Sequence, residues 1–182
     1  MEHTDTQLEE QSPWYAVRLF SLKLAEVEDY FKRNNIETFV PRQWTEVEGT
    51  DGRPKRVLRP VVHNLLFLKK TMPEQLMRKI VSDSVFKMAV IKKAANETAF
   101  YEIPYRQMHE FQLMCNPEIY MREYLSEQES KMKPGAEVLV KFGPLKGLTG
   151  RLVRISKKYY LLKEVPGMGV ALKVSRWCCT PL

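Results

Sequence analysis

The groups with which this chain of 182 residues can do chemistry are few and widely spaced. Its histidines, His3, His63 and His109, have no Cys-x-x-Cys or His-x-x-x-His partner, so a metal site has no ligand set to draw on. Its cysteines, Cys115, Cys178 and Cys179, are odd in number and two are adjacent, which suits neither a disulfide framework nor zinc; reduced thiols are expected. No Gly-x-Ser-x-Gly elbow, dinucleotide fingerprint or P-loop occurs. Gly143, Gly147 and Gly150 are phosphate-friendly, but no helix is expected after them to aim its N-terminus at an anion, and they read as turns. Glu123, Glu127 and Glu129 lie in a charged, solvated stretch that gives no reason for a raised pKa. Neither catalysis, nor a cofactor, nor a metal is expected.

Charge is the more informative property. The net +7 hides an asymmetry: residues 1–13 carry four acids and no base, whereas 134–182 carry nine basic residues against two acidic ones. Such a body suits RNA, DNA or an acidic protein, the plain alternative being a solvated surface. Lys23, Arg33, Arg42, Arg53, Lys55 and Arg56 are the candidate nucleic-acid contacts, and Lys157-Lys-Tyr-Tyr160 interleaves base with aromatic as single-strand binders do. No apolar run approaches the roughly eighteen residues of a membrane span, because Leu65 to Leu68 is broken by Lys69 and Lys70, and the first residues lack a signal-peptide core. A cytoplasmic monomer with no membrane partner is expected.

The elements that must position these residues follow from periodicity. Residues 14–20 read as a strand, and Leu24, Val27 and Phe31 repeat at helical spacing until Asn34-Asn35 stops the helix. A second strand, 36–40, ends at Pro41. The polar segment 42–56, with Gly49, Asp51-Gly52 and Pro54, reads as a mobile loop or a long hairpin tip in which Trp44 either packs back on the sheet, the favoured reading, or makes a partner contact. Strand-like 57–70 precedes a helix opened by Pro73, then strands at 85–91 and 100–103 and a third helix after Pro104. The order βαββαββα predicts an α+β protein whose N-terminal α/β sandwich lays helices on a mostly antiparallel sheet over 14–115, behind an acidic flexible tail at 1–13. Charged 116–133 reads as a linker, at most part helical. Alternating Val138, Val140 and later runs predict about five short strands over 134–182, a small β-barrel.

The segment Pro134-Gly-Ala-Glu-Val-Leu-Val-Lys-Phe-Gly-Pro-Leu-Lys-Gly-Leu-Thr-Gly-Arg-Leu-Val153 resembles a KOW motif. Val138, Val140, Gly143, Leu145, Gly147 and Gly150 stand at its positions, Gly147 matching the hallmark glycine, within the SH3-like barrel that ends NusG-type transcription elongation factors. Trp14-Tyr-Ala-Val-Arg18, the following helix, Phe39-Val-Pro41, the basic polar loop and the hydrophobic strand resemble the NusG N-terminal (NGN) domain. Together the two resemblances span nearly all of 14–182. They imply a non-enzymatic factor that grips the clamp helices of bacterial RNA polymerase through an exposed hydrophobic cavity and reduces pausing, with non-template DNA or nascent RNA as further contacts. At matching positions the grip falls to Trp14, Val62, His63, Asn64 and Leu65. Val62-His-Asn-Leu65 stands where the family commonly has Phe-Pro-Gly-Tyr, which removes aromatic area from the contact. Asn-Leu-Leu-Phe67 is similar to the specialised paralogues that antiterminate surface-polysaccharide operons. The barrel would recruit a ribosomal protein, the ribosome or RNA. Two alternatives stand beside this reading: Trp14, Val62 and Leu65 as ordinary core, and a KOW-type RNA- or ribosome-binding module acting in translation.

Overall fold

A computed structural model describes residues 11–119 and 121–182, so most of the expected acidic tail lies outside the described residues. Two compact units divide between Arg106 and Gln107. The first contains β1 (Trp14–Leu19), α1 (Leu24–Arg33), β2 (Thr38–Phe39), β3 (Arg42–Glu48), β4 (Pro54–Pro60), β5 (Leu65–Lys69), α2 (Glu74–Asp83) and β6 (Met88–Val90). Its main sheet has the order β2-β5-β1-β6, every neighbour antiparallel.

Register assigns the faces of that sheet. Tyr15 opposite Leu68 and Val17 opposite Leu66 carry one face; Trp14, Ala16 and Arg18, opposite Lys69, Phe67 and Leu65, carry the other. The first face packs with Leu24, Val27 and Phe31 of α1 and Met77 of α2, the apolar stripes expected from helical spacing. Asn34 caps α1, its side-chain amide donating to the Tyr30 carbonyl at 2.8 Å, and Asn35 takes the left-handed φ of 59° that asparagine tolerates.

Two expectations are adjusted here. Of the loop or long hairpin tip expected over 42–56 the structure has the hairpin, and its arms are longer than expected: β3 and β4 form a two-stranded ribbon paired from Arg42↔Pro60 to Glu48↔Pro54, because cross-strand pairs such as Trp44↔Leu58 and Thr45↔Val57 hold strands that have little to bury. The strand expected at 100–103 is reduced to two bridges, Trp14↔Ile103 and Lys92↔Phe100; Pro104 has no N–H to extend it.

The second unit takes α3 (Tyr105–Met114) from Gln107 onward, then β7 (Arg122–Ser126), α4 (Glu127–Met132), β8 (Ala136–Val140), β9 (Thr149–Ile155), β10 (Lys158–Val165), β11 (Met168–Lys173) and β12 (Cys179–Pro181). Where a linker was expected over 116–133, β7 pairs with β11 from Ser126↔Met168 to Arg122↔Leu172, and α4 follows. The Ser/Glu/Gln composition that suggested a linker conceals a capping box. Ser126 Oγ accepts from the Glu129 N–H at 3.2 Å and the Glu129 carboxylate accepts from the Ser126 N–H at 2.8 Å, bonds that hold that carboxyl below its ordinary range. The sheet has the order β12-β8-β9-β10-β11-β7. Among the described residues its pairing is open, ending at β12 and β7, rather than the closed five-stranded barrel expected over 134–182.

The N-terminal sandwich was expected to run to residue 115; from Gln107 onward α3 is also tied to this sheet by polar bonds. Gln107 Nε2 donates to the Glu164 carbonyl at 2.7 Å, while the buried Glu110 carboxylate accepts from Lys163 Nζ at 2.5 Å and from Thr149 Oγ1 at 2.8 Å. A buried carboxylate and ammonium are tolerable only together. Glu110→Ala is expected to lower unfolding stability by about 3–5 kcal/mol, and Glu110→Leu with Lys163→Met to regain most of it; urea midpoints of the two variants check this.

Candidate functional site

Between β4 and β5 the chain turns through residues 61–64, and backbone bonds fasten that turn to the sheet. The Val61 N–H donates to the Pro41 carbonyl at 2.9 Å, and the Leu19 N–H to the Asn64 carbonyl at 2.8 Å. On the other side of β1, the Phe20 N–H donates to the Lys87 carbonyl at 3.1 Å. Asn64, Leu19-Phe20 and Lys87 are thereby aligned along one end of the sheet. Val62 is half-buried there, and His63 and Asn64 are exposed. Beside them Phe20 is 67% exposed, Val85 89%, and Leu22 also lies in water. Large apolar side chains left exposed near one sheet end are candidates for a contact surface rather than core.

Phe20, Leu22 and Val85 were missed as site residues by sequence reasoning, which read Phe20 and Val85 as strand positions. The available signal was Phe20-Ser-Leu22, two apolar residues beyond the last alternating position of the strand. Phe20 also borders an open groove with Phe86, Lys87, Phe100 and Arg78. Arg78 is already committed there: it bonds the Glu74 carboxylate and the Thr98 carbonyl, and its guanidinium lies 4.0 Å from the Phe100 ring centroid. Burial pushes the Glu74 carboxyl up, but the bonds from Arg78 and the Phe100 N–H outweigh it and hold the group below its ordinary value.

Trp14 and Leu65, expected in an exposed grip, are 4% and 2% exposed. Both belong to the sheet face that carries Ala16 and Phe67, and the Phe67 ring sits 6.3 Å from that of Phe39. They also lie at opposite ends of the β1–β5 ladder, Trp14 facing Lys69 and Leu65 facing Arg18, about 13 Å apart at the usual rise of a strand. Trp14 is fixed by a reciprocal backbone pair with Ile103 at 3.0 and 2.7 Å. The structure therefore keeps Val62, His63 and Asn64 together at the surface and takes Trp14 and Leu65 out of reach.

Of the basic candidates, Arg42, Arg53, Lys55 and Arg56 share the β3–β4 ribbon and its tip, while Lys23 precedes α1 and Arg33 is its last residue. Arg42 is held at 2.7 Å by Glu28, and Arg33 Nε donates to the Asp29 carbonyl at 3.3 Å. Trp44, expected to pack back on the sheet, stands on the ribbon with the Arg56 guanidinium 5.1 Å from its ring centroid. In the second unit Val138 and Val140 are buried and Leu145 is half-buried. Gly143 and Gly147 take φ of 87° and 92°, conformations that side chains disfavour. Gly150, expected as a turn, lies instead within β9, where a glycine is required because a Cβ would meet the Leu162 carbonyl oxygen at 2.6 Å.

Compared with known families, the chain matches the NusG family model, described as transcription termination factor NusG, over residues 12–112, more than half its length. The chain belongs to the NusG family. Membership makes it a transcription elongation or termination factor in general terms, and the matched stretch contains the whole β2-β5-β1-β6 sheet, the 61–64 turn and the ribbon. No curated protein matches the chain. No helix among the described residues of this NusG-family chain is long and apolar enough to cross a membrane.

Gly150→Ala is expected to destabilise the second unit more than Gly147→Ala, by about 1–3 kcal/mol against ~1 kcal/mol, because the first displaces backbone and the second only strains a turn; thermal melts of both variants decide it. Burial pushes the Cys115 thiol up to about 12. In the native protein Cys115 should resist iodoacetamide at about pH 8 and react only once denaturant opens the fold, as peptide mapping of the alkylated sites will show.

Proposed function

We propose that this NusG-family chain is a non-enzymatic, cytoplasmic, monomeric factor that docks on the clamp helices of bacterial RNA polymerase and keeps elongation processive. The targets would be selected long operons, such as those for surface polysaccharides. Docking falls to the sheet end built by Phe20, Leu22, Val62, Val85 and the His63-Asn64 turn, in place of the buried Trp14 and Leu65. The observation that carries this reading is the coincidence of a family match over 12–112 with an exposed apolar rim at the turn where the family resemblance places its polymerase grip. The β3–β4 ribbon, with Lys55 and Arg56, is the side available to non-template DNA. The second unit, read as a KOW-type SH3-like domain, would recruit a ribosomal protein or the ribosome.

Binding of the purified protein to a bacterial RNA polymerase elongation complex, paired with read-through of a terminator, tests the reading. Phe20→Ser with Val85→Ser is expected to weaken polymerase binding by about tenfold or more while leaving circular dichroism unchanged, since both side chains already lie in water. Leu65→Asp should unfold the first unit instead. Wild-type protein that fails to bind any elongation complex, or a double variant that binds as well as wild type, would rule out this surface.

A further inference from the structure

We propose that the second unit carries a binding platform for single-stranded nucleic acid, formed by Phe142 and Trp177 and edged by Arg176, Tyr159 and Arg154. Phe142 is 60% exposed and Trp177 76%, and their rings stack with centroids 6.3 Å apart and planes inclined by 26°. The pair is built rather than incidental. Cys179 pairs with Val140 at the end of the β12–β8 ladder, and Trp177 and Phe142 each stand two residues beyond that pair. The Lys141 N–H donates to the Cys178 carbonyl at 2.7 Å, and Cys178 is itself buried, so both aromatic backbones are anchored while their rings face water.

Charge selects the occupant. Arg176, next to Trp177, places its guanidinium 5.8 Å from the Tyr159 ring centroid, and Arg154 sits 5.3 Å from the same centroid. The stacked pair is thus continued by a ring flanked by two exposed cations, with Lys141 beside Phe142 and Lys157-Lys158 beside Tyr159. Only two acids, Glu137 and Glu164, occur in 134–182. Arg151 is taken by Glu164 and Lys163 by Glu110, while the cations around the platform have no carboxylate partner among the described residues. Unpaired positive charge would repel a basic protein and leaves an apolar partner's contact unimproved. It matches a phosphate backbone whose bases stack on successive aromatic faces.

The test is fluorescence anisotropy of the full chain with labelled twelve-nucleotide oligouridylate and, as a second arm, oligothymidylate, at low and moderate salt. Binding is expected to fall steeply with salt and to weaken about fivefold or more in Trp177→Ala and in Phe142→Ala. Trp177→Tyr, which keeps a π face, should restore it, and Arg154→Ala with Arg176→Ala should flatten the salt slope. Preference for the ribose strand would point to a transcript, and preference for the deoxyribose strand to a displaced DNA strand; either supports the platform. No binding of either strand, equal binding by Trp177→Ala, or binding only of duplex would overturn it. Polymerase takes no part in the measurement, so its outcome is separate from that of the docking surface.

Discussion

The antiparallel pairing of β1 with β5 is the constraint from which the first unit follows. Both strands are apolar on both faces, so alternation alone does not say which set belongs to the helices. A slip of one residue would exchange Tyr15, Val17 and Leu19 for Trp14, Ala16 and Arg18 against α1 and α2, turning an arginine toward Leu24 and Phe31. The ladder is pinned at both ends instead. At one, the Leu19 N–H reaches the Asn64 carbonyl; at the other, the Lys70 N–H reaches the Pro13 carbonyl at 2.9 Å. The turn at 61–64 is therefore part of what fixes the register, and its place beside Phe20 comes with it.

In the second unit a polar device does comparable work. Gln107 and Glu110 are three residues apart on α3 and so share a face, and that face bonds the backbone of Glu164 and the side chains of Lys163 and Thr149. Apolar packing tolerates small slides of a helix along a sheet, whereas a buried carboxylate must meet its ammonium and hydroxyl at bonding distance or pay several kcal/mol. The pair thus serves the register of α3 on β10, whatever its net contribution to stability.

The first three helices, the Asn34-Asn35 stop, the sandwich arrangement and the turns at Gly143 and Gly147 were legible because each rests on local spacing or a local φ; Gly150 was not, because its strand partner is distant. What was not legible rests on partners distant in sequence. The β3–β4 ribbon looked like a loop or a hairpin tip because its residues bury little, and only the match of Trp44 with Leu58 and Thr45 with Val57 makes strands of them. β7 looked like a linker because its partner, β11, lies more than forty residues on. Leu65 was expected in an exposed cavity because the family resemblance places the grip there, yet its place opposite Arg18 puts it on a face buried in the folded chain. Membership of the NusG family was legible because its marks are contiguous motifs; the residues that form a surface were not, because exposure is a property of the whole fold.

Three exposed aromatic side chains, Phe20, Phe142 and Trp177, share a position: just beyond the last pair of a ladder. Phe20 follows Leu19, Phe142 stands two residues past Val140, and Trp177 two residues before Cys179. At such places the sheet no longer dictates which face a side chain must take, while the neighbouring ladder still holds the backbone. Phe20 is tied to Lys87 and Lys141 to Cys178 by single hydrogen bonds at those ends. A side chain set there is free of the core and already positioned, so a partner that covers it orders little more than the ring itself. Strands whose interiors are fully occupied with folding can in this way still offer pre-positioned apolar groups at their ends.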